Sequence, residues 1–439
     1  MPQLAIKGGA PVRTKLFPAY NTIGAEEKEA VQKVLDSGNL SQFLGTWSAD
    51  FYGGPTVRKL EEAWCRALQV NYAVSVNSNT SGLFAAIGAC GIGAGDEVIV
   101  SPYSMSASAI APVVYNAVPV FADINPDSFC MDPKSIEEKI TPRTKAILVV
   151  HIFGRPADMD PIMEIASRHK LMVIEDCAQA PMGRYKGKFV GTIGDIGVFS
   201  LNYHKHIHTG EGGIVITNNK TLAEKVQLIR NHAENVVEAM GVTDLTNMIG
   251  YNYRMTEIEA AIGIEQLKKL PQLLEERLAN AAFLHAALGS IDGLVSPPWV
   301  EEPSLNTFYV QPVRYQEAVF GVHRNQFVEA IKAEIPSAVL RETAPLIGAG
   351  YVKPLYLQPL YQQRAAFAFN NHLFKSEVDY SKGICPVAEQ MHFQELITHE
   401  YMRPGMTRAD MEDVVRAFEK VAMNIQELKQ HAGATAAVK

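Results

Sequence analysis

Phe199-Ser200-Leu-Asn-Tyr-His-Lys205-His-Ile-His-Thr-Gly210-Glu-Gly-Gly213 is the stretch on which the reading of this chain turns. Val-Phe-Ser ahead of the lysine has the pattern of a strand end, and Gly-Glu-Gly-Gly-Ile-Val-Ile-Thr behind it that of a tight turn entering another strand. Lys205 is thereby placed on a short, glycine-closed loop at the edge of a sheet. A lysine that is to form an imine with an aldehyde must be partly unprotonated, which asks for a sheltered site. A solvated surface charge is the commoner fate of a lysine, so a second element has to support the reading.

Upstream, Leu171-Met-Val-Ile-Glu175-Asp176-Cys-Ala-Gln179-Ala180 is an apolar run that ends in a carboxylate. Ligands of α/β sheets bind at the carboxyl ends of strands, which makes Asp176 a ligand-facing group. Pyridoxal phosphate chemistry needs such a pair, a lysine for the imine and an aspartate against the pyridinium nitrogen. Ser78-Asn79-Thr80-Ser81 follows the apolar run Tyr72–Val76 and opens an Ala/Leu/Ile-rich segment, a strand-to-helix junction. It reads equally as an ordinary helix cap and as a phosphate cradle. Gln179 offers a neutral amide that could reach the oxygen substituents of a ring, or be a solvated loop residue.

The ordered set of motifs resembles the DegT/DnrJ/StrS family of pyridoxal-phosphate-dependent sugar aminotransferases, from about Leu4 to about Leu428. It comprises Gly8-Gly9-Ala-Pro-Val-Arg13, Ser78–Leu83, Gly95-Asp-Glu-Val-Ile-Val100, Pro119–Asp123, Thr141–Ala146, His151-Ile-Phe-Gly154, Asp158-Met-Asp160, Glu175–Ala180, the lysine segment and Tyr251-Asn252-Tyr-Arg254-Met255. The resemblance implies an α/β, fold-type I transferase. A large domain with a mostly parallel seven-stranded sheet between helices is expected over 1–270, including an N-terminal arm, and a smaller C-terminal α/β domain over 271–439.

For the site, the resemblance implies that Lys205 is both imine partner and general acid/base. Asn79, Thr80 and Ser200 would hold the cofactor phosphate, Asp176 the ring nitrogen and Gln179 the ring oxygens. Asn79 stands where the family usually has glycine. Met105 falls where an aromatic residue commonly stacks on the ring, with Tyr103 as the other candidate. Asn252 would reach the phosphate from a neighbouring subunit, making a homodimer with shared sites, although by itself it could cap a helix. Tyr103, His206 and Tyr356 are the expected substrate contacts. His204, His206 and His208 alternate around the lysine and read as loop polarity or substrate contacts, and no metal is expected.

The activity implied is transfer of an amino group from glutamate or glutamine to a keto-sugar, with pyridoxamine phosphate as the intermediate form of the cofactor. A cyclitol or aminobenzoate-type ring is the alternative acceptor. Related sugar dehydratases carry histidine in place of this lysine, so Lys205 favours transamination, and a silent homologue would have no need of Asp176, Gln179, Ser200 and Lys205 together.

Composition agrees: 439 residues, 47% hydrophobic and 20% charged, suit a globular protein. A formal net charge of -7 without a long basic run argues against nucleic-acid binding. The five cysteines are scattered as in a reduced, cytoplasmic protein, and neither a leader nor an apolar stretch of membrane-spanning length is seen. Periodicity predicts long helices over 257–286 and 408–430, a strand over 307–314, a helix over 324–334 and a frayed tail over 432–439.

Overall fold

The structure is a computed structural model that describes residues 3–335, 345–370 and 375–429. The expected tail over 432–439 and the end of the helix expected over 408–430 lie outside the described residues.

Runs of Val, Ile, Ala and Phe form the central sheet because residues buried on both faces of a parallel sheet need no polar alternation. Its strands are β1 (Tyr72–Val76), β2 (Glu97–Val100), β3 (Val118–Phe121), β4 (Thr144–Val150), β5 (Met172–Asp176), β8 (Ile196–Ser200) and β9 (Gly213–Thr217); a two-stranded ribbon, β6 (Arg184–Tyr185) and β7 (Lys188–Phe189), intervenes. The order is β1-β9-β8-β5-β4-β2-β3, seven strands as the sequence predicts. Pairs among β3, β2, β4, β5 and β8 are parallel, and β9 alone runs antiparallel to its neighbours β8 and β1.

That reversal gathers the site. Val150 pairs with Asp176 at the carboxyl ends of β4 and β5. Ser200 at the end of β8 pairs with Gly213 at the start of β9, and Gly213 pairs in turn with Val76 at the end of β1. Helices α1 (Ala25–Ser37), α2 (Pro55–Leu68), α3 (Asn79–Ala89), α4 (Ser106–Val114), α5 (Pro133–Glu138), α6 (Met159–His169) and α7 (Lys220–Arg230) accompany these strands. α3 is buried along most of its length, which its run of Gly, Ala, Leu and Ile allows.

α8 (Glu257–Gly289) starts with a capping box in which Thr256 accepts from the Glu259 amide while the Glu259 side chain accepts from Thr256, and it runs past residue 270 with Pro271 inside it. It leads to a four-stranded antiparallel sheet ordered β10 (Leu294–Val295), β11 (Gln311–Tyr315), β13 (Leu396–His399), β12 (Ile347–Ala349). Helices α9 (Glu317–Phe320), α10 (Arg324–Glu334), α11 (Pro359–Gln362), α12 (Pro386–Gln390) and α13 (Arg408–Met423) complete this part. The strand expected from residue 307 begins only at Gln311. Phe308 has φ 50°, and the Thr307 and Tyr309 amides donate to Gly154 and Phe153 of the large sheet's loops. The amino-terminal arm packs on the carboxyl-terminal part: Leu4 and Phe17 share a core with Phe327, Val414 and Phe418, and Arg13 pairs with Asp410 and Asp413. Among the described residues no helix is long and apolar enough to cross a membrane.

Candidate active site

The loop that carries Lys205 is closed by its own backbone. The Tyr203 amide donates to Gly210, the Leu201 amide to Gly212 and the Lys205 amide to Asn202. Gly210 has φ 89°, a left-handed conformation that a side chain would oppose. Lys205 thus projects from a fixed turn into a cavity of about 520 Å³ at the carboxyl ends of β4, β5 and β8. Its Nζ sits 4.2 Å from the centroid of the Tyr309 ring. Burial draws the amine down to about 8, against the opposing pull of the Asp176 and Glu400 carboxylates.

Asp176 is buried at the floor of the same cavity. Its Oδ2 accepts from the Ser108 hydroxyl at 2.7 Å and its Oδ1 from the Ala178 amide at 3.1 Å. Burial raises its pKa, while the two hydrogen bonds and the Lys205 charge act the other way. Ser200 lines the wall at the end of β8, and its Oγ accepts from the Asn202 amide at 3.2 Å.

Asn79 and Thr80 line the same side of the cavity as Ser200, as the first residues of α3. The first intrahelical bond joins the Gly82 amide to Ser78 O, so the amides of Asn79 and Thr80 are available to an anion, with the positive end of the helix dipole behind them. The Asn79 side chain donates to Val198 O of β8, which ties the helix start to the sheet. Gly213 touches this turn so closely that a Cβ there would lie 2.7 Å from Asn79 N.

Gln179 also lines the cavity, but its amide is engaged. Its Oε1 accepts from the Phe153 amide at 2.7 Å, and its Nε2 donates to the Tyr351 hydroxyl at 3.1 Å. Met105 lines the cavity and is 59% exposed, whereas Tyr103 is fully buried behind it. The Tyr103 hydroxyl accepts from the Tyr351 amide at 2.9 Å, so this residue supports a cavity residue instead of touching a ligand.

Two further expected substrate contacts also lie elsewhere. His206 is buried, with Nε2 2.9 Å from Thr307 O, and does not line the cavity. Tyr356 is buried against Phe121, its hydroxyl donating to Glu389 at 2.5 Å. Asn252 is exposed, bridged to Asn231 through the backbone, and is not a cavity residue of its own chain.

Glu211, Tyr309, Tyr351 and Glu400 line the cavity without having been singled out in the sequence. Tyr309 falls inside the strand expected over 307–314 and stands two residues before the observed β11, so the expected strand hid its place at the cavity. Tyr351 and Glu400 follow β12 and β13 and carry no local motif.

Among the described residues, one group of three metal-capable side chains comes together, His151, Glu175 and Cys177. Hydrogen bonds occupy it: His151 Nδ1 accepts from the Ala157 amide, His151 Nε2 faces Glu175 Oε2 at 2.9 Å, and Glu175 accepts from the amides of Gly191, Ile193 and Gly194.

The sequence profile of the DegT/DnrJ/EryC1/StrS aminotransferase family matches residues 21–419. The L-glutamine:2-deoxy-scyllo-inosose aminotransferase of Micromonospora echinospora is 34% identical over 439 residues, covering 98% of this chain and 100% of the relative. The spore coat polysaccharide biosynthesis protein SpsC of Bacillus subtilis is 32% identical, covering 91% and 95%. Among solved structures, an aminotransferase from Psychrobacter cryohalolentis superposes with TM-score 0.78 at 30% identity, covering 93% of this chain and 100% of the other. DesI in the presence of its TDP-sugar product superposes with TM-score 0.78 at 26% identity, covering 98% of both chains.

Proposed function

The chain belongs to the DegT/DnrJ/EryC1/StrS aminotransferase family, and from that membership we propose that it moves an amino group from glutamine to the keto group of a polyhydroxylated ring, a cyclitol or a sugar, with pyridoxal phosphate as cofactor. The observation that carries this reading is the pairing of a lysine amine drawn down to about 8 with a buried carboxylate in one cavity that also holds a free helix start. The donor set fits the cofactor: the Asn79 and Thr80 amides and the Ser200 hydroxyl suit a phosphate, Asp176 a protonated ring nitrogen, and Lys205 an aldehyde. Bound there, the cofactor would supply the electron sink that lets a C–H bond next to nitrogen ionise.

The chain's own residues supply the rest. Near neutral pH an amine titrating at about 8 can take a proton at Nζ from one carbon and return it to another. Asp176, held by Ser108 and Ala178, would present its carboxylate to the ring nitrogen. Lysine at 205, where dehydratase relatives carry histidine, favours transamination over dehydration.

A homodimer with Asn252 facing the neighbouring site belongs to the same proposal. Its support is an exposed apolar surface. Leu40, Leu44 and Trp47 are 46–50% exposed and Leu245 and Ile249 57% and 63%. The two segments approach one another at His232: a Cβ added to Gly45 would lie 3.2 Å from its ring, and one added to Gly250 2.2 Å from its Cα.

Absorbance of the purified holoenzyme before and after glutamine, repeated with Lys205→Ala, tests the activity. Conversion of the bound cofactor to its amine form in wild type and not in the variant is expected. A wild-type spectrum unchanged by glutamine or glutamate would refute the transaminase reading.

A further inference from the structure

A transaminase must receive two different molecules in turn in one cavity, so a residue of the wall has to suit a group that both possess. Part of the cavity wall, Tyr309, Tyr351 and Glu400, comes from residues flanking the strands of the smaller sheet. Gln311 of β11 pairs with His399 of β13, which puts Tyr309, two residues before the one, and Glu400, next after the other, at the same end of the paired strands. Lys205 Nζ lies over that tyrosine. Glu400 therefore stands on the lysine side of the cavity, and its charge is felt at the Lys205 amine and at the Tyr351 hydroxyl.

The carboxylate is held in a defined orientation. Arg403 binds its Oε2 from behind, and the Arg403 carbonyl is itself anchored by Asn280. The Glu400 amide donates to Leu346 O at 2.8 Å, which fixes the backbone from which the side chain reaches. The side chain remains 26% exposed, toward the cavity it lines. An ion-paired carboxylate only accepts hydrogen bonds, so whatever faces it must bring an N–H or O–H. Tyr351 complements it: its oxygen accepts from Gln179, which leaves its own proton for an oxygen of the ligand.

We propose that Glu400 sets the substrate class of this site by admitting uncharged, hydrogen-bond-donating groups, the amide of glutamine in one half-reaction and a ring hydroxyl of the acceptor in the other, and by rejecting the side-chain carboxylate of glutamate. The inference rests on the transaminase reading above and deepens it. An amide and a hydroxyl both satisfy Glu400, whereas a second carboxylate brings no hydrogen and adds like charge, the combination that most strongly separates near-isosteres.

The test compares glutamine with glutamate in single-turnover conversion of the holoenzyme, for wild type and for Glu400→Gln, with dissociation constants from the same absorbance titrations. Wild type is expected to prefer glutamine by about tenfold or more, and Glu400→Gln, whose amide can donate to a carboxylate, to lose that preference by about tenfold, mainly through tighter glutamate binding. Thermal unfolding of the variant reports whether its fold survives loss of the Arg403 pair. Equal use of the two donors by wild type overturns the proposal without any variant, and so does an unchanged preference in a folded Glu400→Gln protein. If neither donor converts wild type, the transaminase reading itself fails and takes this proposal with it.

Discussion

Lys205 and Tyr309 meet face-on, the Nζ 4.2 Å from the ring centroid, although one residue comes from the loop between β8 and β9 and the other from the approach to the small sheet. An aromatic face stabilises the ammonium form, while burial stabilises the neutral amine. The lysine is poised between them.

With the amine drawn down to about 8, its unprotonated fraction rises about tenfold per unit of pH below 8 and levels off above it. An ordinary lysine would go on rising to beyond pH 10. The rate at which the cofactor-free protein is labelled at Lys205 by an amine-reactive aldehyde and borohydride, read by peptide mass spectrometry, should show this plateau. Tyr309→Leu should move the midpoint down by roughly 0.5 to 1 unit through loss of the cation–π contact, and Tyr309→Phe should move it little.

Ser108 donates to Asp176 Oδ2 at 2.7 Å, and burial already raises this carboxyl. Ser108→Ala removes a charge-assisted hydrogen bond worth about 1.5 to 3 kcal/mol, or roughly one to two units of pKa. The carboxylate is then protonated at higher pH than in wild type. The acid limb of the glutamine-driven spectral change should shift upward by about a unit or more, with the alkaline limb unmoved. An acid limb that stays in place would mean that Asp176 does not govern it.

Glu175 is the buried hub behind the site. It accepts from the amides of Gly191, Ile193 and Gly194 and faces His151 Nε2, and His151 Nδ1 accepts from Ala157, so Nε2 carries the imidazole proton. Every contact brings a hydrogen to the carboxylate, so Glu175→Gln sets an N–H against an N–H. A loss of about 3 to 5 kcal/mol in denaturant unfolding is expected. Glu137→Gln, which breaks the solvent-screened pair with Arg168, should leave the unfolding midpoint almost unmoved in the same assay.

The half of the site that was legible in the sequence is the half built from strand ends. Lys205, Asp176, Ser200 and the Asn79-Thr80 turn each follow an apolar run, and the register of the sheet, parallel from β4 to β8 and antiparallel through β9 to β1, brings such positions together. Tyr351 and Glu400 reach the cavity only because the small sheet docks above the large one, and nothing adjacent to them in sequence encodes that docking. The same limit explains Tyr103, His206 and Tyr356. Their residue types suit a ligand, but Tyr103 and His206 are buried and bonded to Tyr351 and Thr307, and Tyr356 is buried against Phe121 and bonded to Glu389, outside the cavity lining. Gln179 has an amide suited to a ring oxygen, and the structure engages both of its ends.

Gly213 offers a test of the phosphate cradle that leaves every ligand-facing side chain in place. It is the first residue of β9, paired with both Ser200 and Val76, and a Cβ added to it would lie 2.7 Å from Asn79 N and 2.7 Å from Ser78 O. These are backbone atoms that cannot rotate away, so Gly213→Ala must push the start of α3 from the β8 end or open the strand pair. Either movement separates the Asn79 and Thr80 amides from Ser200. Pyridoxal phosphate should therefore bind at least about tenfold more weakly in equilibrium dialysis, whereas pyridoxal, which lacks the phosphate, should lose much less. The difference between the two ligands separates damage to the cradle from general destabilisation, since unfolding would weaken both equally. Equal losses for the two, or no loss for either, would place the phosphate somewhere other than this helix start.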